Sequence, residues 1–284
     1  MTAASSTKPK ATFFTWRKLS PAKWDDVWPE RLAEFVDRLA ITSIAGSKSS
    51  RIEIFALSQK EANRLVKEFG GTAAKQTRDW LQAPAKPRPP IKIRGKLSIV
   101  TRAADRPADG KPALIIPAGM AFGTGEHATT LNCLRFLADL AAKQTEPWEL
   151  IDLGCGSGII ALAARLLGAK KVEAGDFDPD CVRTAKENVE INELTGVAVK
   201  KLDVFSWEPK RTWPLVAANL YSTILIEIAP KLHRALAPGG TLIFSGVMRD
   251  QEKDVTAAFK KAGLKVGEVK RQGKWIAALA TKAK

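Results

Sequence analysis

Gly154, Gly156 and Gly158 lie at every second position in Ile151-Asp-Leu-Gly-Cys-Gly-Ser-Gly-Ile-Ile160, between an apolar run and a stretch of helical periodicity. The spacing predicts a strand over 148–153, a tight turn, and a helix over 159–167. Glycine admits positive φ and lets a backbone approach a ligand closely, and the N-terminus of the following helix presents unpaired N–H groups. Such a turn takes something small. Ile159 stands where a dehydrogenase fingerprint would carry its third glycine, which weakens a dinucleotide reading. A second strand-like stretch, Val172-Glu-Ala-Gly-Asp176, ends in a carboxylate 22 residues after Gly154. That is close to the ~20 residues expected before an acid that holds a ribose, so the pair points to a ligand bearing a nucleoside. Asp178, followed by Pro179, has the chemistry of a helix N-cap instead. Cys155, with no base near it in sequence, reads as a small residue lining the turn.

Further candidates lie on either side. His127 titrates near neutrality and could accept a proton from an amine, or could only orient the glycine-rich segment from Gly119 to Thr130. Thr130 and Asn219 could each cap a helix. His233, at helical spacing, reads as surface.

The elements that must position these residues follow from periodicity. Thr12 to Leu19 reads as a strand, and Pro21 to about Leu39 as a helix with Val27, Leu32, Phe35, Val36 and Leu39 on one stripe. Ser49 to Leu57 alternates as a strand. Gln59 to Phe69 reads as a helix capped by Ser58 and stopped by Gly70-Gly71, with a strand to Gln76 after it. This β-α-β-α-β run, within a small α/β domain over 11–83, is sized for recognition rather than for an enzyme core. Ala83 to Pro90 holds four prolines in eight residues and favours a stiff extended path. With the alternating stretch Ile91 to Thr101 it makes 84–112 a segment of linker and docking strands. From 113 onward, strands 113–116, 171–176, 196–202, 214–219 and 241–246 are interspersed with helices through 140 and over 180–191, 222–236 and 250–262. Lys265 to Val269 and Trp275 to Ala280 then pair as a hairpin. The expected catalytic domain, 113–284, is a parallel α/β sheet with helices on both faces and one antiparallel strand.

With 284 residues, 45% of them hydrophobic, the chain can bury a sizeable core. No apolar run reaches the ~18 residues of a membrane span, and no basic-then-apolar leader opens it. Lys8, Lys10, Arg17, Lys18 and Lys23 precede the first acid, Asp25; Pro9 and the scarcity of arginine favour a flexible tail over 1–10 rather than a transit peptide. Cys133, Cys155 and Cys181 are odd in number and lack C-x-x-C spacing, which argues against a disulfide framework or a zinc site and for a reducing, cytoplasmic setting. The net charge of +15 is uneven: residues 1–111 hold 22 Lys and Arg against 11 Asp and Glu. Such an excess steers acidic or nucleic-acid partners, or is only a solvated face. RNA could stack on Trp16, Trp24, Trp28 and Trp80, although the spacing of Trp24 and Trp28 on one helix favours a core role.

Four segments together, Phe122-Gly-Thr-Gly-Glu-His-Ala-Thr-Thr130, Asp152-Leu-Gly-Cys-Gly-Ser-Gly158, Asp176-Phe-Asp-Pro179 and Val216-Ala-Ala-Asn219, resemble the PrmA family. Its members use S-adenosylmethionine to methylate ribosomal protein eleven of the large subunit on lysine side chains and the terminal amine. The resemblance covers roughly Gly119 to the C-terminus, and the segment from Phe122 is its most specific part. It implies a class I methyltransferase: a Rossmann-like, seven-stranded, mostly parallel α/β sheet preceded by a small substrate-recognition domain. The activity implied is that of a monomeric protein N-methyltransferase; another protein, an RNA or a small molecule is the alternative acceptor. Carried onto this chain, the likeness places Gly154 and Gly156 beside the S-adenosylmethionine, Asp176 on its ribose hydroxyls and Asp203 near its adenine amino group. It places Thr130 and Asn219 in contact near the reacting methyl, with Asn219 and His127 the catalytic candidates. It implies no metal.

Overall fold

The computed structural model describes residues 13–25, 27–44, 47–76, 89–117 and 125–284. The expected tail over 1–10, most of the proline-rich stretch, Trp80 and residues 119–124 of the glycine-rich segment lie outside the described residues. Backbone contacts divide the chain into two compact units, Met1–Pro84 and Ala85–Lys284.

In the first unit, β1 (Phe13–Pro21), β2 (Leu39–Ser43), β3 (Ser49–Leu57) and β4 (Thr72–Gln76) form an antiparallel sheet in the order β2-β3-β1-β4. The continuous helix expected from Pro21 to Leu39 is broken. Two 3-10 turns, Ala22–Trp24 and Ala33–Arg38, flank the four-residue α1 (Trp28–Arg31), and Leu39 opens the additional strand β2. Pro29 has no N–H to give the carbonyl of Asp25, so it starts a helical turn rather than continuing one. The break leaves Trp24 47% exposed, against the core role expected for it, while Trp28 is buried. The next helix, α2 (Gln59–Phe69), forms as expected. The Ser58 hydroxyl accepts the Glu61 N–H and the Glu61 carboxylate accepts the Ser58 N–H. Its bonds to Ser58, with help from Arg38, hold the Glu61 carboxyl down at about 2. Ala62 and Leu65 of α2 pack with Trp16, Trp28, Phe35 and Ile54 into the core of this unit.

The second unit opens with β5 (Ile91–Ile93), β6 (Leu97–Val100) and β7 (Ala113–Ile115), a three-stranded sheet in which β6 and β7 run parallel. Then follow α3 (Ala128–Ala141), β8 (Glu149–Leu153), α4 (Ile159–Leu166), β9 (Lys171–Asp176), α5 (Pro179–Ile191), β10 (Val197–Lys201) and β11 (Trp213–Asn219). After them come α6 (Ser222–Ala235), β12 (Leu236–Met248), α7 (Glu252–Lys261), β13 (Leu264–Gln272) and β14 (Trp275–Lys282). Seven of these strands form one sheet, β10-β9-β8-β11-β12-β14-β13, parallel from β10 to β12, with β14 antiparallel to both its neighbours.

Burial of this sheet on both faces explains why its strands read as unbroken apolar runs. Leu150 of β8 packs into one core with Leu134 of α3, Leu162 of α4 and Ala185 of α5, while Ile151 and Leu153 join Leu225 of α6 and Phe259 of α7 in the other. Strand order reverses at β8, whose successors lie on opposite sides, β9 on one and β11 on the other. Ligands of open α/β sheets bind at such a switch point, outside the carboxyl ends of the strands.

One side chain ties the small sheet to α5. Asn192 accepts the Ile115 N–H on Oδ1 at 2.7 Å and donates from Nδ2 to the Ile115 carbonyl at 2.7 Å and to that of Asn188 at 2.8 Å, standing in for a strand partner along β7. Asn192→Ala should therefore cost about 1–3 kcal/mol, the desolvation of backbone groups left unpaired. It should also speed hydrogen exchange at the Ile115 amide; an unchanged exchange rate there would count against this role.

Candidate active site

At the carboxyl end of β8 the chain turns through Gly154 (φ 71°), Gly156 (φ 53°) and Gly158 (φ 79°), all in the left-handed region that side chains other than glycine avoid. Three of the turn's N–H groups are satisfied by the neighbouring strand, and that of Gly158 by the Cys155 carbonyl at 2.8 Å. Gly154 and Cys155 donate to the Gly175 carbonyl at 2.8 and 3.0 Å, and Gly156 donates to Asp176 Oδ2 at 2.8 Å. The other oxygen of Asp176 accepts the Asp178 N–H at 3.0 Å. The two segments meet because β8 and β9 are parallel neighbours with Leu153 opposite Gly175. Asp178 caps α5, as its spacing predicts.

One strand further, Lys201 of β10 pairs with Asp176, so Asp203 lies just past the end of the adjacent strand. Its Oδ1 accepts the Phe205 N–H at 2.9 Å. Phe177 and Phe205, each close behind one of these acids, are 65% and 47% exposed, large apolar rings left to solvent beyond the carboxyl ends of the strands.

On the other side of β8, Asn219 ends β11. Its Nδ2 donates to Thr129 Oγ1 and Thr130 Oγ1, each at 3.4 Å, and both threonines are buried in the first turn of α3. His127 is the N-cap of that helix: Nδ1 accepts the Thr129 N–H at 3.4 Å and lies 2.7 Å from the Thr129 hydroxyl. Its ring meets Trp275 edge-on with centroids 5.2 Å apart. Burial, and then the Lys274 charge, push its pKa below the ordinary value, so the imidazole is neutral at neutral pH. Nδ1 is engaged at the start of α3.

Leu220 joins the two groups. A Cβ on Gly154 would overlap the Leu220 side chain, and a Cβ on Gly246 of β12 would overlap the Leu220 carbonyl. At Gly246 the Leu220 backbone leaves no room for a Cβ, and at Gly154 a Cβ would have to displace the Leu220 side chain. Thus Gly154, Gly156 and Asp176 are bonded into one turn with Asp203 at the next strand end, while Thr130, Asn219 and His127 form a second cluster linked through Thr129.

Two features were not legible as functional in sequence. Asp152 is buried in β8; Oδ2 accepts the Ala161 N–H at 3.1 Å, and Oδ1 has no hydrogen-bond partner among the described residues. Burial, opposed by the Ala161 bond and reinforced by the Asp176 charge, pushes its carboxyl up to about 7. An acid inside an apolar run was the available signal. Lys274 and Trp275 reach His127 from the far end of the chain, and no local pattern marks them. His233, expected at the surface, is half-buried against Gly263.

Residues 15–283 match the model of the family described as ribosomal protein L11 methyltransferase (PrmA). Among similar proteins, the ribosomal protein L11 methyltransferase of Listeria welshimeri is 35% identical over 201 residues, 70% of this chain and 63% of that one. The one of Chloroflexus aurantiacus is 38% identical over 224 residues, 70% of this chain and 67% of that one. The alignment thus spans less than two thirds of the Listeria relative's own length. A crystal structure of ribosomal protein L11 methylase from Lactobacillus delbrueckii subsp. bulgaricus is similar with a TM-score of 0.61 at 28% identity, covering 69% of this chain and 100% of that one.

Asp152 also makes stability depend on pH. In the unfolded chain its carboxyl loses a proton near the ordinary value of about 4; in the fold it keeps it to about 7. Between those values the folded state holds the extra proton, so stability falls as pH rises, by at most about 1.4 kcal/mol per pH unit. Asp152→Asn should flatten this slope in thermal melts between about pH 4 and 7. Parallel melting curves for the two proteins across that window would contradict the assignment.

Proposed function

Since the chain belongs to the PrmA family of ribosomal protein L11 methyltransferases, we propose that it transfers methyl groups from S-adenosylmethionine to lysine and terminal amines of ribosomal protein L11. The observation that carries this reading is the meeting, at the switch point of the sheet, of a glycine turn locked to Asp176 with Asn219 seated on two buried threonines. Those residues fit the cofactor. The turn's glycines permit close approach of a ligand, Asp176 keeps lone pairs for ribose hydroxyls, and the unpartnered Oδ1 of Asp152 suits a ligand carrying an ammonium group. Gly154, Gly156, Asp176 and Asp203 would hold S-adenosylmethionine, with Thr130 and Asn219 near its methyl.

When bound, the cofactor supplies a methyl on a sulfonium, already a strong leaving group. An amine attacks only as the free base, so the task left to the protein is to hold a neutral amine in line, which makes the displacement effectively unimolecular. Asn219, fixed by Thr129 and Thr130, would bond the acceptor amine, whose surplus proton passes to water. His127 we assign as a positioning residue, because its Nδ1 is committed to the start of α3. The small domain over 11–83 would present the substrate protein, and the 84–112 segment would join it to the catalytic part. The compartment this reading implies is the cytoplasm. Among the described residues no helix is long and apolar enough to cross a membrane.

The direct test is incubation with methyl-labelled S-adenosylmethionine, the host's ribosomal protein L11 and its total RNA. Label is expected on L11 amines by mass spectrometry; label confined to RNA would sink the proposal. Asp176→Ala should weaken cofactor binding by about 10-fold or more in calorimetry, since two or more hydrogen bonds to a charged acceptor are lost; wild-type affinity would remove the ribose assignment. His127→Ala should lower kcat while leaving the shape of the pH–rate profile intact. Loss of an ionisation near neutrality from that profile would instead make His127 the base.

A further inference from the structure

The first unit contains a groove of about 350 Å³ beside α1. Its floor is apolar: Val27, Trp28 and Phe69 line it, Trp28 meets Phe69 edge-on with centroids 5.9 Å apart, and the Trp28 Nε1–H is held by Ser20 Oγ at 2.8 Å. Trp24 stands in its wall, 47% exposed. An indole left to solvent beside a preformed apolar floor is the type of residue that anchors protein interfaces.

The rim is cationic. Lys18 lines the groove with its Nζ fixed at 2.6 Å on the Phe69 carbonyl, Arg31 lies 6.0 Å from the Trp28 ring, and Lys23 Nζ lies 5.3 Å from the Trp24 ring. None of the three has a carboxylate partner among the described residues, whereas Arg17, Arg38 and Arg64 are paired with Glu53, Glu61 and Glu34. Among the described residues, one acid, Glu68, lines the groove.

We propose that this groove binds an acidic segment of the protein substrate. A bulky apolar side chain would seat against Trp24 and the floor, and neighbouring carboxylates would meet Lys18, Lys23 and Arg31. This deepens the methyl-transfer reading and rests on it for the identity of the substrate. Charge complementarity is local: residues 13–76 hold 11 Lys and Arg against 8 Asp and Glu, so the unit as a whole is only mildly basic, while Lys18 and Arg31 line the groove itself and Lys23 stands beside its exposed indole. That distribution disfavours RNA, which calls for a long cationic track and successive stacking platforms. Among the described tryptophans of this unit, Trp16 and Trp28 are buried and Trp24 alone offers a face.

The test is calorimetric titration of purified host ribosomal protein L11 into the full-length protein, Trp24→Ala and Arg31→Glu, at low and moderate salt. Trp24→Ala is expected to weaken binding roughly tenfold or more. Arg31→Glu is expected to weaken it severalfold at low salt, the difference shrinking as salt screens the charges. Unchanged affinity for S-adenosylmethionine serves as the control for folding. Equal L11 binding by wild type and both variants, no L11 binding by the wild type, or loss of poly-uridine binding in place of L11 binding would each overturn the proposal. A wild type that binds L11 in the expected pattern but transfers no methyl leaves the groove standing and removes the methyl-transfer reading; one that methylates L11 while the variants bind it equally well does the reverse.

Discussion

A single carboxylate, that of Asp176, holds together the strand ends on which the site depends. A turn of left-handed glycines leaves its N–H groups without helical partners, and a buried donor without an acceptor costs about 1–3 kcal/mol. Here the acceptors come from β9: the Gly175 carbonyl for Gly154 and Cys155, and Asp176 for Gly156. The turn therefore takes its shape from the neighbouring strand rather than from its own sequence alone. Because Asp176 also accepts the Asp178 N–H, the same group sets the start of α5. Strand register, turn and helix are one bonded unit.

Close packing carries that constraint across β8. Leu220 lies where a Cβ on Gly154 or on Gly246 would intrude, so the glycine turn and the segment bearing Asn219 share one contact surface. The nucleoside half and the acceptor half of the proposed site are thus positioned by the same residue. Asp152, buried in β8, keeps an oxygen that has no hydrogen-bond partner among the described residues. An orphaned acceptor at that depth lowers stability, and its place two residues before the turn fits a residue retained for binding rather than for folding.

The two units use charge differently from what composition implies. The basic excess over residues 1–111 could steer acidic or nucleic-acid partners or be a solvated face, yet Arg17, Arg38 and Arg64 of the first unit are spent on glutamates, while Lys18, Lys23 and Arg31 at the groove have no carboxylate partner among the described residues. Net charge sums over pairs that cancel locally, and a partner is steered by what is left over.

Sequence by itself determined the parallel sheet, the glycine turn, the capped α2 and the candidacy of Asp176, because each rests on local physics: apolar runs buried on both faces, backbone angles open only to glycine, and caps within reach of their own helix. It also carried the family resemblance, since the four segments from Phe122 to Asn219 keep their residue types. Pro29 marks the break in the first helix in the sequence itself, where the periodicity of the apolar stripe outweighed it. Only tertiary structure seated Asn219 on Thr129 and Thr130, and it alone brought Trp275 to His127 and left Asp152 half-satisfied. Those facts depend on which distant segments become neighbours. Periodicity reports which face of an element is buried, but not what is buried against it.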